Sequence, residues 1–240
     1  MSRVRANREY YDQISLAYDR ARGGRYHELV DRLACETVQA VGARDRPALE
    51  AGCGTGRILS GLRQAGLPAR GVDLSAGMLR HARARGLPVA RADLTRLPVA
   101  DGRLGLVCCF KVLPHVDDLG AALAELARVL APGGHLVVEV YNPHSLRALV
   151  KRLGGPRRIL AGIDEGEVAT RYDSLGALRA AAPPELELRQ LRGVRIFTPA
   201  ARLHDLPLVG PLLGWAEARL AETSLRRIAG FLIATFRKVG

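Results

Sequence analysis

The chain has 240 residues, of which 48% are hydrophobic and 5% aromatic, and its formal net charge is +12. This length and composition fit one globular α/β domain and exclude an intrinsically disordered chain. The charge raises the question of a nucleic-acid or membrane partner. However, the arginines that carry it are spread along the whole chain, and no nucleic-acid recognition motif accompanies them.

The four cysteines are Cys35, Cys53, Cys108 and Cys109. They show neither CxxC spacing nor paired histidines, so the sequence predicts reduced thiols and no metal site. The N-terminus lacks the apolar core of a signal peptide, and the longest apolar stretch, 206–216, contains two prolines and is too short to span a bilayer. We therefore expect a soluble, cytoplasmic protein.

The chain order of the predicted elements indicates an α/β fold. Residues 9–41 read as helical, with a break at Gly23–Gly24. Apolar strands then alternate with helices, which favours right-handed crossovers and a parallel sheet covered on both faces. The predicted strands are 47–51, 69–73, 88–93, 104–110 and 135–141, and the helices between them are 57–65, 75–85 and 119–130.

After Tyr141 this alternation stops. Residues 142–185 are predicted to be irregular and partly helical, and two further strands are predicted at 185–197 and 228–237. The segment between these strands is predicted to be largely helical after Gly210.

A glycine-rich turn follows the first predicted strand. Residues 50–56 read Glu-Ala-Gly-Cys-Gly-Thr-Gly, and such glycines permit positive φ and let a ligand lie against bare backbone. Alone the turn is a weak signal, because dinucleotide dehydrogenases carry the related GxGxxG. Asp73, at the end of the second strand, is placed to accept both hydroxyls of a ribose. Asp93, at the end of the third, is placed to receive an adenine amino group.

Four segments in this order, EAGCGTG at 50–56, GVDLS at 71–75, ADL at 92–94 and LAPGG at 130–134, resemble the class I S-adenosylmethionine-dependent methyltransferases. The likeness is to the branch with the ubiquinone and menaquinone C-methyltransferases (methyltransferase type 11). It covers residues 10–141 and, more loosely, the final strand. The resemblance implies a Rossmann-like α/β fold, with a seven-stranded, mostly parallel sheet flanked by helices and the last strand antiparallel.

The resemblance also implies an activity and a division of the chain. It predicts in-line transfer of a methyl group from S-adenosyl-L-methionine to a small or lipophilic metabolite, with O- or C-methylation favoured and S-adenosyl-L-homocysteine as product. We expect a single methyltransferase domain over 1–240. Its predicted parts are a helical lid at 1–45, a cofactor-binding core at 46–141, acceptor-side insertions at 142–185 and 198–227, and final strands at 186–197 and 228–238.

The resemblance implies cofactor contacts from the glycine turn, from the ends of the second and third strands, from the segment after the fourth strand, and from the lid. Glu50 is expected to orient the ammonium group and Asp73 to hold the ribose diol. The predicted cofactor-binding residues are Glu50, Gly52, Cys53, Gly54, Asp73, Leu74, Met78, Asp93, Leu94, Phe110, Lys111, Tyr11 and Tyr18. For Met78, Tyr11 and Tyr18, plain helix packing is an equal alternative.

His115 is the candidate general base. It follows the fourth strand at the carboxyl edge where open α/β sheets bind ligands, and histidine titrates near neutral pH. A structural or substrate-facing role is the alternative. The predicted acceptor-binding residues are His115, Tyr141, Asn142, His144 and Arg171, where a surface salt-linked turn is the alternative for Arg171.

The apolar segment 206–220 departs from the minimal fold. A roof over a hydrophobic acceptor pocket is the favoured interpretation, and peripheral membrane contact or a homodimer face are the alternatives. We expect a monomer or homodimer without a specific nucleic-acid partner. Three rival functions stay open: an RNA or protein methyltransferase using the basic surface, a non-catalytic S-adenosylmethionine-binding protein, and an NAD-dependent oxidoreductase, which the Gly-x-Gly-x-Gly spacing argues against.

Overall fold

The computed structural model describes residues 3–42, 46–149, 158–160, 163–164, 170–198 and 200–240. Parts of the predicted lid and of both predicted insertions therefore lie outside the described residues.

Two helices precede the sheet. Helix α1 spans Arg3–Ala21 and helix α2 spans Arg25–Ala40. Gly24 stands between them with a φ of 102°, a conformation that L-residues with side chains rarely adopt. The predicted break at Gly23–Gly24 is therefore confirmed.

A seven-stranded sheet forms the centre of the molecule. Its strands, in chain order, are β1 (Ala48–Ala51), β2 (Ala69–Asp73), β3 (Val89–Arg91), β4 (Leu104–Cys109), β5 (Leu130–Tyr141), β8 (Leu186–Val194) and β9 (Phe231–Lys238). A separate hairpin consists of β6 (Arg158–Leu160) and β7 (Ile163–Asp164).

The spatial order of the sheet is β3-β2-β1-β4-β5-β9-β8. The pairs from β3 to β5 are parallel, and β9 runs antiparallel between β5 and β8. The predicted fold, with a mostly parallel sheet and an antiparallel last strand, is confirmed. Strands β1 and β4 are buried throughout because helices cover both faces of the sheet, and this explains their uninterrupted apolar sequences.

The crossover helices match the predicted alternation. Helix α3 spans Arg57–Gln64, α4 spans Ala76–Ala84 and α5 spans Leu119–Val129. Ser75 caps α4 as predicted, since its hydroxyl accepts from the backbone N–H of Met78. After β5, residues 146–149 are helical and α6 spans Leu175–Ala181.

The predicted bounds of the last strands differ from the structure for backbone reasons. Strand β8 ends at Val194 because Arg195 takes a positive φ of 63°. Strand β9 starts at Phe231, since residues Ser224–Ile228 form a 3₁₀ turn. Strand β5 begins at Leu130, five residues earlier than predicted, because the Pro-Gly-Gly segment is accommodated as an irregularity in its pairing with β4.

Between β8 and β9, a 3₁₀ turn at Ala201–Asp205 leads into helix α7, Val209–Leu220. Helix α7 packs against α2 on one face of the sheet. Within the part of the chain that the structure describes, no helix combines the length and apolar character needed to cross a bilayer.

Candidate active site

A cleft of about 450 Å³ lies at the carboxyl ends of β1, β2 and β4. This is the size range of small-molecule sites, and the position is the one where open α/β sheets bind ligands. Every residue predicted to contact the cofactor lines this cleft, and so does His115. The structure thus brings together residues that are up to about a hundred positions apart in sequence.

The glycine turn forms the floor of the cleft. The backbone N–H groups of Gly52 and Cys53 both donate to the carbonyl of Val72, at 2.7 and 2.9 Å, and this folds the chain back over β2. Gly52 has a φ of 81°, and a Cβ there would lie 2.1 Å from a methyl group of Val112. Gly54 has a φ of 54°, and a Cβ there would meet nothing within 4 Å. Gly54 therefore leaves bare backbone exposed to a ligand.

Asp73 is held in one orientation by the backbone around it. Its Oδ2 accepts from the N–H of Gly54 and its Oδ1 from the N–H of Ser75, both at 2.8 Å. Burial raises the pKa of this carboxyl above its usual value. Each oxygen keeps a second acceptor site, so the carboxylate can bind two neighbouring hydroxyls without reorganisation.

Glu50 is a buried acid at the methionine end predicted for the cofactor. Glu50 is 2% exposed, and its Oε2 has no hydrogen-bond partner among the described residues. Burial, reinforced by the negative charge of Asp31, raises its pKa well above the usual value. A buried carboxylate oxygen without a partner fits an ammonium group supplied by a ligand.

Lys111 lines the cleft with its charge paired to a neighbouring carboxylate. Its ammonium donates to Oδ1 of Asp31 at 2.9 Å, and Nε of Arg57 donates to Oδ2 of the same carboxylate at 2.8 Å. Lys111 itself adopts a positive φ of 62°, which turns the chain sharply after β4. Asp31 also lines the cleft but escaped prediction, because nothing in the sequence of α2 marks it.

Helix α1 is pinned across the cleft by two carboxylates. Oδ1 of Asp12 accepts from the hydroxyl of Ser75 at 2.6 Å and from the N–H of Gly77 at 2.7 Å. Asp19, two helical turns later, accepts from the hydroxyl of Thr55 at 2.6 Å. The lid therefore attaches both to the glycine turn and to the start of α4. The seven-residue spacing of Asp12 and Asp19 places both on one face of α1, and this signal of attachment was missed in the sequence.

The lid places aromatic rings at the cleft. Tyr11 and Tyr18 line it, with ring centroids 6.5 Å apart. Met78 lines it as well, while packing against Tyr10 and Ile14. Met78 therefore packs in the core and borders the cleft, and its contact with the cofactor stays a prediction.

The predicted adenine end is more open. Oδ1 of Asp93 accepts from the backbone N–H and the hydroxyl of Thr95, at 2.8 and 2.7 Å. This turn fixes the carboxylate just beyond β3. Leu94 is 8% exposed and joins the apolar core beneath it.

Arg22 is a basic cleft residue that was not predicted. Its guanidinium lies 5.3 Å from the centre of the Tyr18 ring and donates to the Tyr18 hydroxyl at 3.3 Å. No carboxylate within ion-pair distance of it is found among the described residues. In a chain with arginines in every region, sequence alone gives no reason to single this one out.

His115 sits where α1 meets the segment after β4. Its ring centroid lies 5.9 Å from that of Tyr11 and 6.2 Å from that of Tyr141, both in edge-to-face geometry. The side-chain amide of Asn7, another cleft residue missed in the sequence, donates to the His115 carbonyl at 2.8 Å. Tyr141 does not line the cleft but borders it through His115, and Tyr172 continues the aromatic contacts outward.

Two predicted acceptor-binding residues, Asn142 and His144, lie at the end of β5 outside the cleft. The side-chain amide of Asn142 donates to the carbonyls of Arg227 and Ala229, both at 2.9 Å, and so ties the end of β5 to the chain entering β9. His144 is exposed, and its N–H donates to the Asn142 side chain. Neither residue lines the cleft.

Arg171 also lies outside the cleft and acts as a clamp. Its Nε donates to both oxygens of Asp173 at 2.8 Å. Its remaining nitrogens donate to the carbonyls of Val116 and Leu113, at 3.0 and 3.1 Å. The salt-linked alternative describes this residue, although the turn it holds is the one that carries His115.

We expect Arg171→Gln to lower the free energy of unfolding by about 2 kcal/mol, because it removes the ion pair with Asp173 and the hydrogen bonds to the carbonyls of Val116 and Leu113. Chemical denaturation measures this directly. The matched control is Arg189→Gln, which removes an exposed pair with Glu187 and should cost less than about 0.5 kcal/mol. Equal stability of the two variants would contradict the clamp.

The segment 206–220 does not roof the cleft. None of its residues lines the cleft, so the interpretation favoured from the sequence is wrong for this segment. Also within the described residues, no group of three or more His, Cys, Asp or Glu side chains is arranged to hold a metal ion.

Comparison with known proteins agrees with this geometry. Residues 49–138 match the model of a family described as a methyltransferase domain. This segment of the chain is similar to methyltransferase domains. The matched residues run from β1 into β5 and include most of the cleft, so the matched segment and the candidate site overlap.

Two relatives carry names with a defined substrate. A ubiquinone biosynthesis O-methyltransferase of Methylococcus capsulatus is 32% identical over 57% of this chain and 61% of its own length. A malonyl-[acyl-carrier protein] O-methyltransferase of Halorhodospira halophila is also 32% identical, over 71% of this chain and 58% of its own. The similarity thus spans less than two thirds of either relative.

Among solved structures, a methyltransferase of Thermotoga maritima described as a possible histamine N-methyltransferase superposes with a TM-score of 0.64. It is 20% identical, and the match covers 95% of this chain and 98% of that one. At this identity the likeness establishes the fold alone, and neither the cofactor nor the acceptor.

Proposed function

We propose that this protein is an S-adenosylmethionine-dependent methyltransferase that acts on a small or lipophilic metabolite, at an oxygen or carbon atom. The observation that carries the proposal is the pairing of two acidic groups across one glycine bend. The Glu50 carboxylate, whose Oε2 has no hydrogen-bond partner among the described residues, matches an ammonium group, and the preoriented Asp73 carboxylate matches a diol. S-adenosylmethionine carries both groups.

The bound cofactor would supply a sulfonium methyl that is already activated for displacement. This chain's own part is alignment and exclusion of water. The Gly52–Gly54 backbone supports the amino-acid part, Asp73 fixes the sugar, and α1 with Tyr11 and Tyr18 covers the opening. A positioned acceptor gains rate because no translational freedom is left to lose in the transition state.

His115 is proposed as the residue that faces the acceptor and removes its proton. We expect His115→Ala to lower kcat by about 10²–10⁴-fold and to leave cofactor affinity unchanged, because the ring is lost while the backbone carbonyl bound by Asn7 stays. Steady-state kinetics with an acceptor found by the screen below measures this. His144→Ala, which changes an exposed histidine, is the control. Near-normal turnover of His115→Ala would remove this residue from the chemistry.

The acceptor class is tested by incubating the protein with methyl-labelled cofactor and fractions of a metabolite extract, a total RNA fraction and a protein fraction. We expect label in small or lipophilic metabolites. Label in RNA or protein would favour the alternative that the basic surface recruits a macromolecule. Tight binding of S-adenosylhomocysteine without transfer to any fraction would favour a non-catalytic cofactor-binding protein. A cytoplasmic location and a monomeric or homodimeric state are part of the same proposal.

A further inference from the structure

Small residues of helix α7 face the rest of the protein. Gly210, Gly214 and Ala221 fall on one stripe of the helix, and this stripe faces inward. A Cβ at Gly210 would lie 2.1 Å from the carbonyl oxygen of His204, and one at Gly214 would lie 3.9 Å from a methyl group of Leu29 on α2. The helix therefore approaches its neighbours by backbone contact rather than by large apolar side chains.

A buried acid fixes the rotation of α7 about its own axis. Glu217, on the same inward stripe, is 1% exposed. Its carboxylate accepts from the N–H groups of Ile196 and Phe197, at 2.8 and 2.9 Å, and from the hydroxyl of Thr198 at 2.8 Å. Because these three hydrogen bonds hold Glu217 against the protein, the opposite face of α7 points to solvent.

That outward face is apolar. Leu208, Leu212 and Trp215 are spaced by four and three residues, and they are 85%, 64% and 60% exposed. Leu206 and Val209 extend the same exposed surface, at 46% and 39%. A surface helix normally shows the reverse arrangement, with its apolar stripe facing the core. A contiguous set of large apolar side chains with this exposure marks a contact surface.

Arginines border this apolar face. Arg219 lies one turn after Trp215 on the same stripe, and Arg202 and Arg227 are exposed on the segments that flank α7. The exposed acids of the same region are Asp205 and Glu222, since Glu217 is buried. An apolar helix face with a tryptophan and a basic margin has the chemistry of the boundary between lipid headgroups and acyl chains.

We propose that the outward face of α7 docks onto an anionic lipid surface. Leu208, Leu212 and Trp215 enter the acyl boundary, while Arg219 reaches the headgroup phosphates. A second copy of this chain would bring the same excess of arginine to the contact, whereas anionic headgroups neutralise it. The proposal is independent of methyl transfer, because the cleft contains no residue of α7.

The test uses the only tryptophan of the chain as a reporter. The full-length protein is mixed with vesicles of phosphatidylcholine alone, or of phosphatidylcholine with phosphatidylglycerol, and Trp215 fluorescence is recorded together with co-flotation. We expect a blue shift and flotation with the anionic vesicles, both reduced at high salt. Flotation without a blue shift would show that another basic surface binds, and would overturn the proposal.

Matched variants distinguish vesicle binding by the outward face of α7 from binding by the rest of the protein surface. We expect Leu212→Gln to lower the vesicle partition coefficient about tenfold, and Arg219→Gln to lower it about fivefold on anionic vesicles. The controls are Leu16→Gln, which removes an 82% exposed leucine on α1, and Arg80→Gln, which removes an exposed arginine on α4. Equal losses in variants and controls would overturn the proposal. So would a lipid-free dimer that Leu212→Gln dissociates.

Discussion

Asp73→Ala is expected to weaken binding of S-adenosylhomocysteine by at least about 100-fold. The change removes a charged acceptor for two hydroxyls, and each such hydrogen bond contributes about 1.5–3 kcal/mol. The substitution also leaves the N–H groups of Gly54 and Ser75 without their acceptor, so the glycine turn itself loosens. Isothermal titration calorimetry measures the affinity, and thermal unfolding measures the cost to the fold.

The comparison with Asp73→Asn separates the two effects. The amide keeps one acceptor for the backbone but loses the charge, so we expect most of the stability to return and most of the affinity loss to persist. Asp101→Ala, at a side chain that is 80% exposed, is the control. Parent-like affinity of Asp73→Ala would contradict both the placement of the cofactor and the activity built on it.

Glu50→Gln is expected to stabilise the ligand-free protein while weakening cofactor binding. The buried carboxyl has a raised pKa, so between the ordinary carboxyl pKa and the raised one the folded state holds a proton that the unfolded state has released. Stability of the parent therefore falls as pH rises through this window and is fully present below it. Glutamine cannot ionise, and we expect it to raise the free energy of unfolding at pH 7 by about 1–2 kcal/mol.

The same substitution removes the counter-charge for an ammonium group. We expect affinity for S-adenosylhomocysteine to fall about 30- to 150-fold, because truncating one partner of a buried charge pair costs about 2–3 kcal/mol. Denaturation curves from pH 4 to 8 and calorimetry provide the two readouts.

Glu139→Gln is the matched control for Glu50→Gln. Glu139 is fully buried, both its oxygens are without hydrogen-bond partners among the described residues, and burial raises its pKa. It does not line the cleft. We therefore expect Glu139→Gln to gain stability without a change in cofactor affinity. A loss of affinity as large as that of Glu50→Gln would show that the effect is general and not due to a contact at residue 50.

The centre of the fold was predictable because its signals are local and agree with one another. Buried strands read as apolar runs, left-handed turns read as glycines, and Ser75 reads as a helix cap. Parallel strands then bring their carboxyl ends together. The positions of Glu50, Asp73 and His115 in one cleft follow from topology without knowledge of any contact.

The rest of the site was not predictable because its signals are long-range. Asp31 and Arg22 reach the cleft only because α1 and α2 fold back over the sheet. No local sequence pattern distinguishes them from other charged residues. Asn142 was assigned to the acceptor by its place after β5, yet its side-chain amide binds backbone carbonyls. Arg171, also assigned to the acceptor, binds Asp173 and backbone carbonyls. The orientation of helix α7 was not predictable either, because its apolar composition does not say which side of the helix faces the protein.

The close approach of Gly52 to Val112 limits which residues the two positions can hold. A methyl group of Val112 fills the space that any side chain at position 52 would need, and the φ of 81° adds its own penalty. A library that randomises position 52 alone should therefore return glycine. A side chain at position 52 would require a smaller residue at position 112, so the glycine turn constrains the loop that leads to His115.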